Sequence, residues 1–414
     1  MKKIRIGVFG ARRGMDIARN FMLLNCEITA ICDSDKNQLK KSAENFGGTV
    51  AAYADFDAFI EHDMEAVILA NSFHEHAPYA IRCLQKGLHV FSECLSNGTM
   101  AEGVELVEAV EKSNSIYMLA ENYPHMIFNR EMKRIADGGS LGRIMYAEGE
   151  YNHLVASDDV GFLECCNYHE KHWRNFLPST YYITHSLGPV MHISGAMPKK
   201  VCAFTTFDPP AAGESVASHN GDGTAIIITQ NDDESIFRVT GWAKFGAHHI
   251  SYRICGTDGQ IENLRGTDEM MLRYNNWTIP DNMKEINRYK PEWNDKDEKL
   301  LEGCGHGGAD FFTARMFVEC IKANRQPEHP FDVYGATNMS SVAFLAHRSI
   351  LDGGKVYEIP DFKREEDRNA YRDDRLSPFY GFDGTEPSTP CCSHPDYKPP
   401  EENVRAYKKL LNLE

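Results

Sequence analysis

Over its first 120 or so residues the chain alternates short apolar runs with single amphipathic segments, and this rhythm limits the possible folds more than any other feature. Strands are expected over residues 4–9, 27–32, 66–70, 88–92 and 117–120. Helices are expected over 14–24 and 76–85, the latter with Pro78 in its first turn, where a missing N–H costs little. A further helix runs through Val104, Val107 and Val110. Short apolar strands separated by single helices imply a doubly wound parallel sheet covered on both faces.

After Asn122 the rhythm changes. Phe128, Met132 and Ile135 mark one amphipathic helix, closed by Gly138-Gly139, and residues 144–153 read as a longer strand. Between 199 and 263 come several strands with turn signals such as Asn231-Asp232-Asp233 and Gly256-Thr257-Asp258-Gly259. Helices return at 306–324 and 335–351. The fold class is therefore α/β at the N-terminus, followed by an α+β domain with an open, mostly antiparallel sheet. We divide the chain into 1–122, 123–360 and a charged, proline-rich arm at 361–414, expected on the surface or across a subunit contact.

Composition excludes several partners. The net charge of −16 disfavours nucleic acid and anionic membrane surfaces, and no segment reaches the roughly 18 apolar residues of a membrane span. The N-terminus runs directly into a strand without an apolar leader. The twelve cysteines show no C-x-x-C spacing, so they read as reduced thiols of a cytoplasmic protein. His169-Glu170-Lys171-His172 lacks the spacing that sets two ligands on one helical face, and Cys391-Cys392-Ser393-His394 has no second ligand pair. No metal is expected. An exposed sheet face together with the arm suggests a homo-oligomer.

The loop after the first strand is Gly10-Ala11-Arg12-Arg13-Gly14. It keeps the outer glycines of a dinucleotide fingerprint at a shortened spacing, at the N-terminus of a helix, where backbone N–H groups favour a phosphate. Arg12 and Arg13 can add charge-assisted contacts. Asp33 ends the second strand, 19 residues beyond Gly14, where a carboxylate accepts from the ribose hydroxyls and repels a 2′-phosphate. Residues 1–122 thus read as a Rossmann domain for NAD rather than NADP.

Glu65-Ala66-Val67-Ile68-Leu69-Ala70, His76, Gly87-Leu88-His89-Val90 and Glu93 resemble the glucose–fructose oxidoreductase / inositol dehydrogenase (Gfo/Idh/MocA) family, with the order of elements matching over residues 1–350. The Glu-Lys-Pro of that family reads Glu93-Cys94-Leu95 here, and its Asp-x-x-x-His pair reads Tyr181 and His185. A narrower resemblance is carried by Tyr182-Ile183-Thr184-His185-Ser186-Leu187-Gly188-Pro189, His306-Gly307-Gly308-Ala309-Asp310-Phe311 and Asp332-Val333-Tyr334. These segments are similar to the family's NAD-dependent glycoside hydrolases, typified by bacterial α-N-acetylgalactosaminidases, with Ile183 and Ser186 replacing a proline and a glycine.

By position, the resemblance implies that Gly10, Arg12, Arg13, Gly14, Asp33, Phe73, His76, Glu93, Cys94 and Asn122 line the cofactor. It places Tyr151, Arg174, Tyr182 and His185 towards a small carbohydrate, with His153 on the same strand face as Tyr151. The implied reaction oxidises C3 of the sugar, removes the acidified C2 proton, eliminates the C1 substituent, adds water and returns the hydride. It needs no carboxylate pair flanking the glycosidic bond. His185 is assigned to the C3 hydroxyl, Tyr151 to the C2 proton, and Tyr182 to the leaving group. Tyrosine ordinarily titrates near about 10, so Tyr151 needs positive charge nearby, for which Arg174 and the nicotinamide are candidates. The bland readings are a packing tyrosine at 151, a surface ion pair at Arg174 and a core histidine at His192. The competing functions are a sugar or polyol dehydrogenase and a non-catalytic NAD-bound regulator.

Overall fold

The computed structural model describes residues 3–46, 49–156, 171–381 and 383–411. His169, Glu170, Cys165 and Cys166 lie outside them. Six strands, β1 (Arg5–Phe9), β2 (Glu27–Cys32), β3 (Ala51–Tyr53), β4 (Ala66–Leu69), β5 (His89–Ser92) and β6 (Tyr117–Leu119), form a parallel sheet in the order β3-β2-β1-β4-β5-β6. This is the doubly wound order whose direction reverses between β1 and β4, so the ligand crevice opens at their carboxyl ends. Apolar residues on both faces of every central strand are covered by α1 (Arg13–Leu23) on one side, and by α4 (His76–Gln85) and α5 (Met100–Lys112) on the other. The edge strand β3 escapes the sequence reading because it is three residues long and half exposed.

After α6 (Ile127–Asp137), β7 (Ile144–Asn152) opens a second sheet of nine strands. Its order is β14-β13-β12-β11-β7-β10-β9-β8-β15, and only the β7–β10 pair is parallel. The strands are β8 (Pro198–Phe207), β9 (Asp222–Asn231), β10 (Ile236–Thr240), β11 (His249–Gly256), β12 (Gly259–Asn263), β13 (Met270–Tyr274), β14 (Ile286–Tyr289) and β15 (Tyr357–Glu358). Two helices, α7 (Thr184–Ser194) and α9 (Val333–Leu351), cover its inner face. Its outer face carries an ion network in which Glu148 and Glu150 take Arg238, Arg253, Arg265 and His249.

Two later segments pack back onto earlier parts of the chain. The helix α8 (Ala309–Ala323) returns to the N-terminal sheet, where Phe317 meets Phe21 and Phe91 edge-on, and Phe331 O accepts from Leu119 N at 2.9 Å. The arm lies on its own chain: Cys391 and Cys392 are buried, Ser393 donates to Asp222, and His394 stacks on Phe207. It ends in α11 (Glu401–Leu410), whose Tyr407 is buried against Ala217. No helix of the described residues is long and apolar enough to cross a membrane.

Candidate active site

At the switch point the backbone itself makes a cradle. Gly10 has φ +96°, and a Cβ there would stand 2.2 Å from Ala70 O, so only glycine fits. A Cβ on Gly14 would reach 2.5 Å from Val8, which keeps α1 close against β1. The first turn of α1 has no side-chain cap, leaving N–H groups for an anion. Both oxygens of Asp33 hold main chain, accepting from Ala11 N at 2.7 Å and Asp35 N at 2.8 Å, and so fix the carboxylate beside the loop. Beside Gly10, at the end of β4, both amide atoms of the half-buried Asn71 side chain are shut off from solvent and find no protein partner among the described residues. A glycine cradle, an uncapped helix end and an orphaned amide together fit a dinucleotide.

The two arginines of the loop diverge. Arg12 is exposed and only 3.9 Å from Asp35. Arg13 is committed elsewhere: it donates to Glu93 at 2.8 Å and, as a fork, to Asp310 at 2.7 and 2.8 Å. Asp310 also accepts from Asn122 at 2.6 Å and meets His306 at 3.2 Å. Burial alone would raise the Asp310 pKa, but Arg13 and His306 outweigh it and hold the carboxyl far below its usual range. The sequence reading gave Arg13 to a phosphate; here it ties β5 and α1 to the start of α8.

A second cluster gathers around His185. Glu121, at the carboxyl end of β6, is fully buried and binds His185 Nδ1 at 2.9 Å. Gly188 permits this approach, since a Cβ there would come 2.8 Å from Glu121 Cγ. Burial would raise the Glu121 pKa, yet His185, Thr184 and the Tyr123 N–H hold it below the ordinary carboxylate value. With Nδ1 so engaged, Nε2 is the ring nitrogen left for a ligand, on a side chain 12% exposed. Tyr123 stacks on the imidazole at 4.0 Å, while Tyr151 and Tyr182 meet it edge-on at 4.9 and 5.2 Å. Tyr182 lies just before α7, and its ring and that of His185 converge.

The remaining expected residues surround this cluster. Cys94 occupies the strand-end position of β5, and its thiol donates to Glu121 at 3.2 Å. Burial, then Glu121 and Glu93, push its pKa well up, so it is a neutral thiol. Phe73 is sandwiched between Tyr182 at 6.1 Å and Trp173 at 5.0 Å, both nearly parallel to it, and Arg174 lies over Trp173 at 4.4 Å. His76 is buried and bonded to Leu95 O at 2.7 Å. His153 tilts against Tyr151 at 5.4 Å, its pKa lowered by burial and by His248. Burial among Tyr182, Tyr123 and Glu121 raises the Tyr151 pKa, which makes it a neutral phenol in the free protein. Tyr181, in the family's aspartate position, faces away into a core of Phe344, His347 and Phe379. Sequence reasoning gave no role to Glu121, Tyr123, Asn71, Asp310 or His306. A buried acid or amide just past a parallel strand is the signal that marks Glu121 and Asn71.

Residues 131–369 match the family model described as glycosyl hydrolase 109, C-terminal domain, and residues 4–121 match the oxidoreductase family with an NAD-binding Rossmann fold. A glycosyl hydrolase family 109 protein of Shewanella pealeana is 26% identical, covering 88% of this chain and 86% of its own length. An α-N-acetylgalactosaminidase of Shewanella oneidensis is 23% identical over the same shares. Among solved structures, a levoglucosan dehydrogenase in complex with NADH and levoglucosan superposes with a TM-score of 0.71 at 17% identity. It covers 87% of this chain and all of that one, a likeness of fold alone. The helix that carries His185, the buried Glu121 and the glycine cradle thus fall within two matched segments that span most of the chain. The chain belongs to glycosyl hydrolase family 109, with an NAD-binding Rossmann domain of the Gfo/Idh/MocA oxidoreductase family at its N-terminus.

Proposed function

We propose that this enzyme is an NAD-dependent, redox-neutral glycoside hydrolase that acts by transient oxidation at C3, deprotonation at C2 and elimination at C1. The coarser statement, an enzyme of the Gfo/Idh/MocA type that is a glycosidase or a sugar dehydrogenase, follows from the family and the fold. The observation that carries the finer reading is the Glu121–His185 pair beside Cys94. Cys94, a neutral thiol, stands where a dehydrogenase of this family would present a lysine, and the buried Glu121 carboxylate and the His185 imidazole lie beside it.

Bound NAD supplies a hydride acceptor at C3 and afterwards the donor that restores it. Glu121 fixes the His185 proton on Nδ1, so Nε2 accepts the proton of the C3 hydroxyl, and the carboxylate stabilises the imidazolium that forms. Tyr151 takes the C2 proton in this scheme. Its raised pKa means that positive charge arriving with the ligands must first draw it down. Tyr182, whose pKa burial raises against the opposing pull of Arg174, protonates the departing oxygen. Water then adds at C1, and the net change is hydrolysis. Arg174 and His153 border the sugar, and a second copy is expected against the outer face of the nine-stranded sheet.

The test uses the purified protein with its own cofactor. It is incubated with aryl glycosides of several sugars in heavy water. Hydrolysis with deuterium at C2 and no net nicotinamide reduction is the expected outcome. Stoichiometric NADH with a keto-sugar supports a dehydrogenase and overturns the proposal. A Tyr151→Phe variant with full elimination activity removes that residue from its role.

A further inference from the structure

The C-terminal arm bridges the two domains beside His74, the chain neighbour of Phe73. From α10 (Glu365–Tyr371) it runs along α5, where Arg368, Arg372 and Arg375 pair with Glu111, Glu108 and Glu105 at successive turns. Exposed pairs of this kind contribute little individually but set the register of the arm on the helix. Asp374 then binds both domains at once. Its carboxylate takes a forked pair of bonds from Arg348 of α9 at 2.6 and 2.7 Å, and its carbonyl accepts from Ala101 N of α5 at 2.9 Å.

Beyond Asp374, the buried Phe379 ring lies 4.6 Å from His74 and 5.7 Å from Tyr181. Tyr380 meets Phe176 edge-on at 5.1 Å, with Lys171 Nζ 4.3 Å from its ring. Further along, His347 donates to Pro390 O at 2.6 Å, and Ser393 N donates to Asp222 at 2.9 Å. His74 is the chain neighbour of Phe73, whose ring is held between Tyr182 and Trp173. Phe73 is therefore held by the second domain and its neighbour His74 by the arm.

We propose that Phe379 and Tyr380 are positioning residues that retain the cofactor. The arm pins residues 71–76 over the crevice, and NAD leaves only when this strap lifts. The proposal rests on the NAD-binding domain and not on the net reaction, so it stands or falls separately from the glycosidase reading.

The test follows release of NADH by its fluorescence on mixing loaded protein with excess NAD⁺. Phe379→Ala and Tyr380→Ala are expected to raise the off-rate tenfold or more and several-fold, respectively. Asn403→Ala breaks buried bonds at the far end of the arm, to Ala211 and Gly213, and is expected to lower Tm with an off-rate within twofold of wild type. In the wild-type protein, the amides of Ser377 and of Phe379 to Gly381 are expected to exchange more slowly when NAD is added to stripped protein, as reciprocal coupling requires. If Phe379→Ala does not fold, Tyr380→Ala and the wild-type exchange decide the matter. An unchanged off-rate in Tyr380→Ala, exchange indifferent to NAD, or an equal rise in Asn403→Ala overturns the proposal.

Discussion

The cofactor cradle and the His185 cluster are built in opposite ways. The cradle is made of backbone from one short loop, with Asp33 bound to main-chain N–H groups. The cluster is made of side chains from β6, β7 and the start of α7, distant in sequence and buried together. A backbone site depends on local conformation, so it tolerates change around it. A side-chain site depends on each neighbour, and a single lost partner leaves a buried charge or an orphaned nitrogen.

The largest effect should come from breaking the cluster at its carboxylate. A Glu121→Gln variant can donate to His185 Nδ1 and so reverse the imidazole tautomer. Turnover should fall about 10²–10⁴-fold with bound NAD unchanged. Steady-state kinetics beside the absorbance of retained nicotinamide checks this, and a loss under tenfold would dissolve the contrast between the two regions.

Acid should act next, through a histidine in the last turn of α7 itself. The His192 pKa is lowered to about 4, first by burial and then by Lys133, and its Nδ1 is buried without a partner among the described residues. The unfolded chain therefore binds this proton more readily than the folded one. The associated stability is present above the ordinary value of 6.5 and is lost as pH falls from there towards 4. Up to roughly 3 kcal/mol is at stake. Thermal unfolding across that window should steepen for wild type and flatten for His192→Leu.

On the cradle side, Asp33→Asn should weaken NAD about 10–100-fold, the worth of lost charge-assisted bonds, and narrow the preference over NADP. Titration with both cofactors measures it. The smallest effect should be at Arg12, where the Asp35 pair is long and exposed: Arg12→Ala should change stability by less than about 1 kcal/mol. A larger drop in NAD affinity would instead restore that arginine to the phosphate.

The alternation of apolar strands was enough to read the parallel sheet, because a strand buried on both faces must be apolar throughout. The Gly10–Gly14 loop and Asp33 were legible for a related reason, since each meets its demand within a few residues. The edge strand β3, too short and too exposed to leave a pattern, was not. Nor was the return of α8 to the first domain, because an amphipathic helix records that it has an apolar face and not which sheet that face meets.

By itself the sequence determined the order of elements, the cofactor cradle and the presence of Tyr182 and His185 in a recognisable segment. Only the tertiary structure decided that Glu121 holds His185, that Arg13 is spent on Asp310 and Glu93, and that the arm closes back on its own chain. The reason is physical. Backbone conformation is specified over a few neighbouring residues, whereas the partner of a buried charge is whichever group the packed fold brings within about 3 Å of it.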